Sequence, residues 1–191
     1  MAPSPRKASD RRTRRTRLAL QNALHSLLAE QGWDGINVQK LCERADVGRS
    51  TFYLHFQNKE ELLACGLADL RNLLREQASA RSPGTFSFVR LLIQRIHEER
   101  KLFRAVIGGR NGHIVQMRFR ELVVQLAEED LSSVAAAGWR RDAGARYLAG
   151  ALAELLAWWV ESGGRQAPDE IERLFQQLAA PAIELLGHTK G

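Results

Sequence analysis

The sequence is poor in the residues that staple, anchor or catalyse. Only two of its 191 residues are cysteine, Cys42 and Cys65, too few for a disulfide scaffold. They form no CxxC and have no His/Cys ligand spacing, so no metal site is expected and a reducing interior suits them. The longest nearly apolar run, residues 147–160, contains Glu154 and is too short to span a bilayer. The first residues lack the apolar stretch of a secretion signal. The expectation is a cytoplasmic protein with no membrane partner. GxSxG, GxxxxGKS/T, HExxH and GxGxxG are all absent. No reaction suggests itself, so the chain reads as a non-enzyme without a cofactor.

What the sequence does have is an uneven charge. Residues 1–17 hold seven basic side chains and one acid, a net of +6 that equals the net charge of the whole chain. Such a block commonly binds a polyanion, either nucleic acid or an acidic membrane face. Its blander reading is a solvated tail. With Pro3, Pro5 and no apolar cluster, residues 1–12 are expected to form a disordered basic arm.

Helical periodicity begins at Thr13, and no segment alternates with period two. Leu20, Ala23, Leu24, Leu27 and Leu28 share one face of a first helix, which Gly32 ends. Asn37 can cap a short second helix, a third runs from about Arg49 to His55, and Asn58 caps a long fourth. Five more follow. The eighth spans about Arg141 to Glu161, the ninth starts at Pro168, and Pro181 should kink or end it. The class is all-α.

The second and third helices, joined by Asp46-Val47-Gly48, follow the helix-turn-helix plan. Its second helix enters the major groove of DNA. Here that helix carries Arg49, Ser50, Thr51, Tyr53 and His55, side chains suited to phosphates and base edges. Phe52 and Phe56 are four apart and can both pack inward. An ordinary surface helix in a bundle would look similar, and the adjacent arm decides for DNA.

Residues 45–62 resemble the signature of tetracycline-repressor-like (TetR/AcrR) transcriptional regulators. The resemblance is carried by Thr51-Phe52-Tyr53-x-His55-Phe56 and by Asn58-Lys59-Glu60-x-Leu62, and the run from Gly32 to Ala45 is similar too. It implies a homodimer with a three-helix DNA-binding head over residues 13–62 and an effector-binding, dimerising domain over 63–191. By position it implies a base reader at Arg49, phosphate contacts at Thr51, Tyr53 and Lys59, and a further one at His55. Asn37 stands where threonine is usual, Gly48 where serine or threonine is, and Asp46 where glycine is common. Each substitute suits a cap or a tight turn. Arg14 and its neighbours would reach phosphates or an adjacent minor groove, as homeodomain arms do.

In the C-terminal part, Ala149, Ala153 and Ala157 form a small-residue row that permits close helix approach. With Leu174 and Leu178 it suggests a dimer interface, burial within one subunit being the alternative. Phe103, Met117, Phe119 and Trp158 are candidates for an effector cavity, though each would also serve as core. The expected function is a sequence-specific transcriptional regulator on a palindromic operator, a repressor released by a small molecule. The rivals are a nonspecific nucleoid-type DNA binder driven by the arm and a helical protein that meets anionic lipid.

Overall fold

The computed structural model describes the backbone of residues 5–81, 85–107 and 113–188, and side chains over 11–78, 85–107 and 113–188. The described residues hold nine α-helices and no strand. They are α1 (Pro5–Gln31), α2 (Val38–Ala45), α3 (Arg49–His55), α4 (Lys59–Arg81), α5 (Phe88–Glu98), α6 (Arg100–Ile107), α7 (His113–Leu131), α8 (Trp139–Glu161) and α9 (Pro168–Gly187). The chain divides into two compact units between Gly66 and Leu67, a helical turn beyond the expected boundary at 62/63.

Two expectations need correction. Residues 5–12 are helical, not disordered, while 1–4 lie outside the described residues. Arginine, lysine and alanine are good helix formers, and Pro5 occupies the first turn, where its missing N–H costs nothing. Of the two effects expected of Pro181, a kink or an end, the end does not occur, since α9 continues to Gly187. The carbonyl that loses its partner belongs to Gln177, an exposed residue, so water can satisfy it.

In the N-terminal unit α1 lies against α2, and α2 against α3. Leu20, Leu24, Leu41, Phe52 and Leu62 are fully or almost fully buried there. Gly32 takes the left-handed conformation (φ 72°) just past the end of α1, as a helix-terminating glycine does.

In the C-terminal unit α8 packs on α6, α7 and α9, and α5 packs on α9. Leu92, Ile96, Leu126, Leu152, Leu156 and Trp159 fill the interior. The Arg100 guanidinium donates to the Gly163 and Gly164 carbonyls at 3.2 and 2.8 Å, satisfying backbone acceptors just beyond α8. The small-residue row departs from expectation. Ala149 is fully buried within the unit, and Ala153 and Ala157 are half-buried. The exposed face of α8 instead carries Tyr147 and Trp158, and that of α9 carries Leu174, Leu178 and Leu185.

A polar cluster ties α4 to α7 within this unit. Arg75 pairs with both Glu129 and Asp130 and donates to the Leu126 carbonyl at 2.7 Å, and Arg71 also pairs with Glu129. The second Asp130 oxygen accepts from the Phe86 backbone N–H at 2.6 Å. Phe86 is fully buried and sits at φ 63°, a conformation that costs a bulky residue free energy. Asp130→Ala would leave the Arg75 charge and the Phe86 N–H short of a partner together. We expect a loss of about 2–3 kcal/mol, read as a lower urea midpoint at unchanged slope. A change below about 0.5 kcal/mol, the usual range for surface substitutions, would show that the cluster holds nothing in place.

Candidate nucleic-acid interface

The helix-turn-helix is built by local chemistry. The Asn37 side chain accepts from the Lys40 backbone N–H at 2.9 Å and so caps α2 as expected. Asp46 closes that helix in the left-handed region (φ 53°, ψ 49°), which aspartate tolerates better than most residues. Gly48 precedes α3 in extended conformation with no side-chain cap. At the start of α4, the Glu61 N–H donates to the Asn58 side chain at 2.8 Å while the Glu61 carboxylate accepts from the Gln57 N–H at 2.6 Å. This reciprocal pair satisfies two donors at that helix start.

Phe52 and Phe56 orient α3. Both are buried, with ring centroids 5.9 Å apart. Arg49, Ser50 and Tyr53 are exposed, Ser50 on the side opposite Phe52, and Tyr53 meets Phe52 edge-on at 5.5 Å. Thr51 and His55 lie half-buried at the flanks. Arg14 is exposed on α1. Six of the eight expected DNA contacts thus lie on α3 or its arm with accessible polar atoms, and Asn37 is exposed at the start of α2.

Lys59 is different. Its ammonium donates to the Trp33 and Ile36 carbonyls at 3.2 and 2.9 Å and stands 4.3 Å from the Trp33 ring centroid. It therefore acts first as a staple between the start of α4 and the α1–α2 connection. Sequence spacing alone did not show this, because the carbonyls lie more than twenty residues away in the chain.

Other partners also went unseen in the sequence. Arg49 donates to the Gln39 side-chain oxygen at 2.9 Å, and the Gln39 amide donates to Glu43 at 2.8 Å. An open cavity of about 480 Å³ beside them is lined by Gln39, Cys42, Glu43, Asp46, Val47, Gly48 and Arg49. Its two carboxylates disfavour a phosphate there. Burial pushes the Cys42 thiol up, so it stays protonated. Arg17 stacks over Phe56 at 5.3 Å and donates to the Cys65 sulfur at 2.9 Å.

Of the four effector candidates, the structure brings together only two. Phe103 and Phe119 are buried and meet edge-on at 5.9 Å. Met117 and Trp158 are exposed, because each stands on the outer side of a helix whose inner side holds Phe119 or Trp159. Among the described residues, no cluster of three His, Cys, Asp or Glu could hold a metal ion, and no helix is long and apolar enough to cross a membrane.

Two measurements check this construction. Asn37→Ala should cost about 1 kcal/mol of stability through loss of the cap, and an unchanged urea midpoint would mean that the side chain does not hold the helix. Arg44 forks onto Glu30 through two bonds of 2.7 Å, and that hydrogen bonding holds the Glu30 carboxyl below its usual range. A depressed carboxyl stabilises the fold above its unfolded value and loses that contribution as pH falls through the folded one. The melting-temperature gap to Arg44→Met should then be constant near neutrality and shrink in acid. A gap that survives full protonation of Glu30 would assign it to packing.

Comparison with known proteins agrees with this geometry. Residues 21–64 match the model of the bacterial regulatory proteins of the tetR family. The sequence is similar to the uncharacterized HTH-type transcriptional regulator YxbF of Bacillus subtilis (strain 168), 40% identical over 83 residues. That match takes in 42% of this chain but spans only 22% of the relative's length. The fold is like that of a TetR transcriptional regulator from Streptococcus agalactiae 2603V, with TM-score 0.69 and 23% identity over 91% of this chain and 98% of that one. It is also like NalD, the secondary repressor of the MexAB-OprM multidrug efflux pump in Pseudomonas aeruginosa. There the TM-score is 0.62 at 20% identity, over 94% of this chain and 99% of NalD. The dihydroxyacetone kinase operon activator DhaS gives 0.60 at 19% identity, over 90% of this chain and 97% of DhaS. The head over residues 21–64 is thus similar to that of the tetR family of bacterial regulatory proteins, and the helical fold is like that of solved TetR regulators.

Proposed function

We propose that the chain is a homodimeric, sequence-specific DNA-binding regulator that represses transcription in the cytoplasm and leaves its operator when a small molecule binds the C-terminal unit. The observation that carries the reading is α3. It is anchored by Phe52 and Phe56, it exposes Arg49, Ser50 and Tyr53, and a strongly basic segment stands in the same unit. Arg49 reads a base edge. Ser50, Tyr53, Thr51, His55 and Asn37 contact the backbone or neighbouring edges, with Arg14 and the arm on phosphates. Lys59 keeps one N–H for a phosphate but serves mainly to position α4.

The exposed apolar side chains Tyr147, Trp158, Leu174, Leu178 and Leu185 support a two-fold interface made by α8 and α9 of two copies. Two heads then address half-sites about 34–36 Å apart. The effector enters the interior near Phe103 and Phe119 and favours a dimer whose heads no longer match that spacing. Solved structures of this fold include both a repressor, NalD, and an activator, DhaS. Repression is the reading we prefer, since blocking a promoter needs no contact beyond DNA.

The decisive test is selection of genomic fragments by the purified protein at about 150 mM salt, where nonspecific contacts weaken. A two-fold-symmetric motif is expected, lost in Arg49→Ala and in Tyr53→Ala while both variants remain dimers. Recovery of fragments without a motif would overturn the reading and favour nonspecific binding through the arm. Separately, Leu178→Glu should give a monomer in sedimentation. A dimer that withstood the buried charge would move the interface elsewhere.

A further inference from the structure

We propose that Leu54 is a specificity-determining residue that packs on the C5-methyl group of a thymine in each operator half-site. The proposal rests on α3 being a major-groove helix, as argued above. Leu54 is 81% exposed, more than any other large apolar side chain among the described residues. Its direction follows from helix geometry. It lies two residues from the buried Phe52, and at about 100° per residue it is about 200° from it. It therefore points away from that ring, along the outermost line of α3, where a helix in the major groove comes nearest the bases.

That line is apolar at one point only. Ser50, one turn before Leu54, is polar and exposed, as is Gln57 just beyond the helix end. With only Tyr53 exposed beside it, this apolar spot is too small to dock a protein surface, but Leu54 matches a methyl group. Among base edges in the major groove, only thymine presents one, while the other bases offer donors and acceptors. Leucine gains by covering the thymine methyl, and over another base it would desolvate a polar group without replacing its hydrogen bond. Attraction and penalty thus act in the same direction.

The test starts from the motif recovered by selection. Each thymine is replaced by deoxyuridine, symmetrically in the two half-sites, and Kd is measured at fixed salt for the natural protein, Leu54→Ala and Leu54→Met. One thymine position is expected at which the natural protein loses about fourfold per methyl removed, or about fifteenfold for the pair. Leu54→Ala should bind thymine and deoxyuridine equally there, and Leu54→Met, which keeps an apolar tip, should retain the preference. Unchanged melting of both variants separates contact from folding. A motif with no deoxyuridine-sensitive thymine, or an undiminished penalty in Leu54→Ala, would overturn this proposal alone. A selection that yields no motif would overturn it together with the specific-regulator reading.

Discussion

A helix of seven residues does not stand by itself in water, because its nucleation cost exceeds what so few hydrogen bonds return. α3 is such a helix. It exists because Phe52 and Phe56 are buried on one side of it, each ring contributing roughly 1.5–3 kcal/mol. The same two rings fix its rotation about its own axis. Once they face inward, Ser50 and Leu54 must face outward, with Arg49 and Tyr53 at the flanks. The chemistry offered to DNA is a geometric consequence of the packing that makes the helix.

Around this anchor, cations of the head are spent on the protein itself. Lys59 binds two carbonyls and covers Trp33. Lys40 donates to the Gln31 side chain and the Gly35 carbonyl. Arg44 grips Glu30, and Arg17 lies over Phe56. These contacts hold the connections between helices, which have few apolar residues of their own. In the function proposed above, the arm and α3 are the parts of the head that meet phosphates and bases. That proposal divides the labour, with the arm supplying salt-sensitive affinity and α3 supplying choice.

The C-terminal unit shows the complementary logic. Its helices bury one apolar side against each other, and α8 and α9 keep a second apolar side exposed. The dimer proposed above would cover that side with another copy, and a two-fold partner doubles every favourable contact. The adjacent tryptophans illustrate the split. Trp159 is buried, stacks on His97 and donates to the Gln166 carbonyl, while Trp158, one residue earlier, looks outward.

The sequence by itself determined whatever depends on neighbours along the chain. Helix positions, the Asn37 cap, the left-handed Asp46 and the inward pair Phe52 and Phe56 all follow from residues within one turn of each other. Their energetics are local, so spacing reveals them. Tertiary structure alone decided what stands opposite each side chain. It made Lys59 a staple, buried Ala149 inside its own unit and turned Met117 and Trp158 outward. It also let α9 run through Pro181, since the residue whose carbonyl proline strands is exposed. A residue's partner across space leaves no mark in the residue's own chemistry, and only packing of distant segments brings the two together.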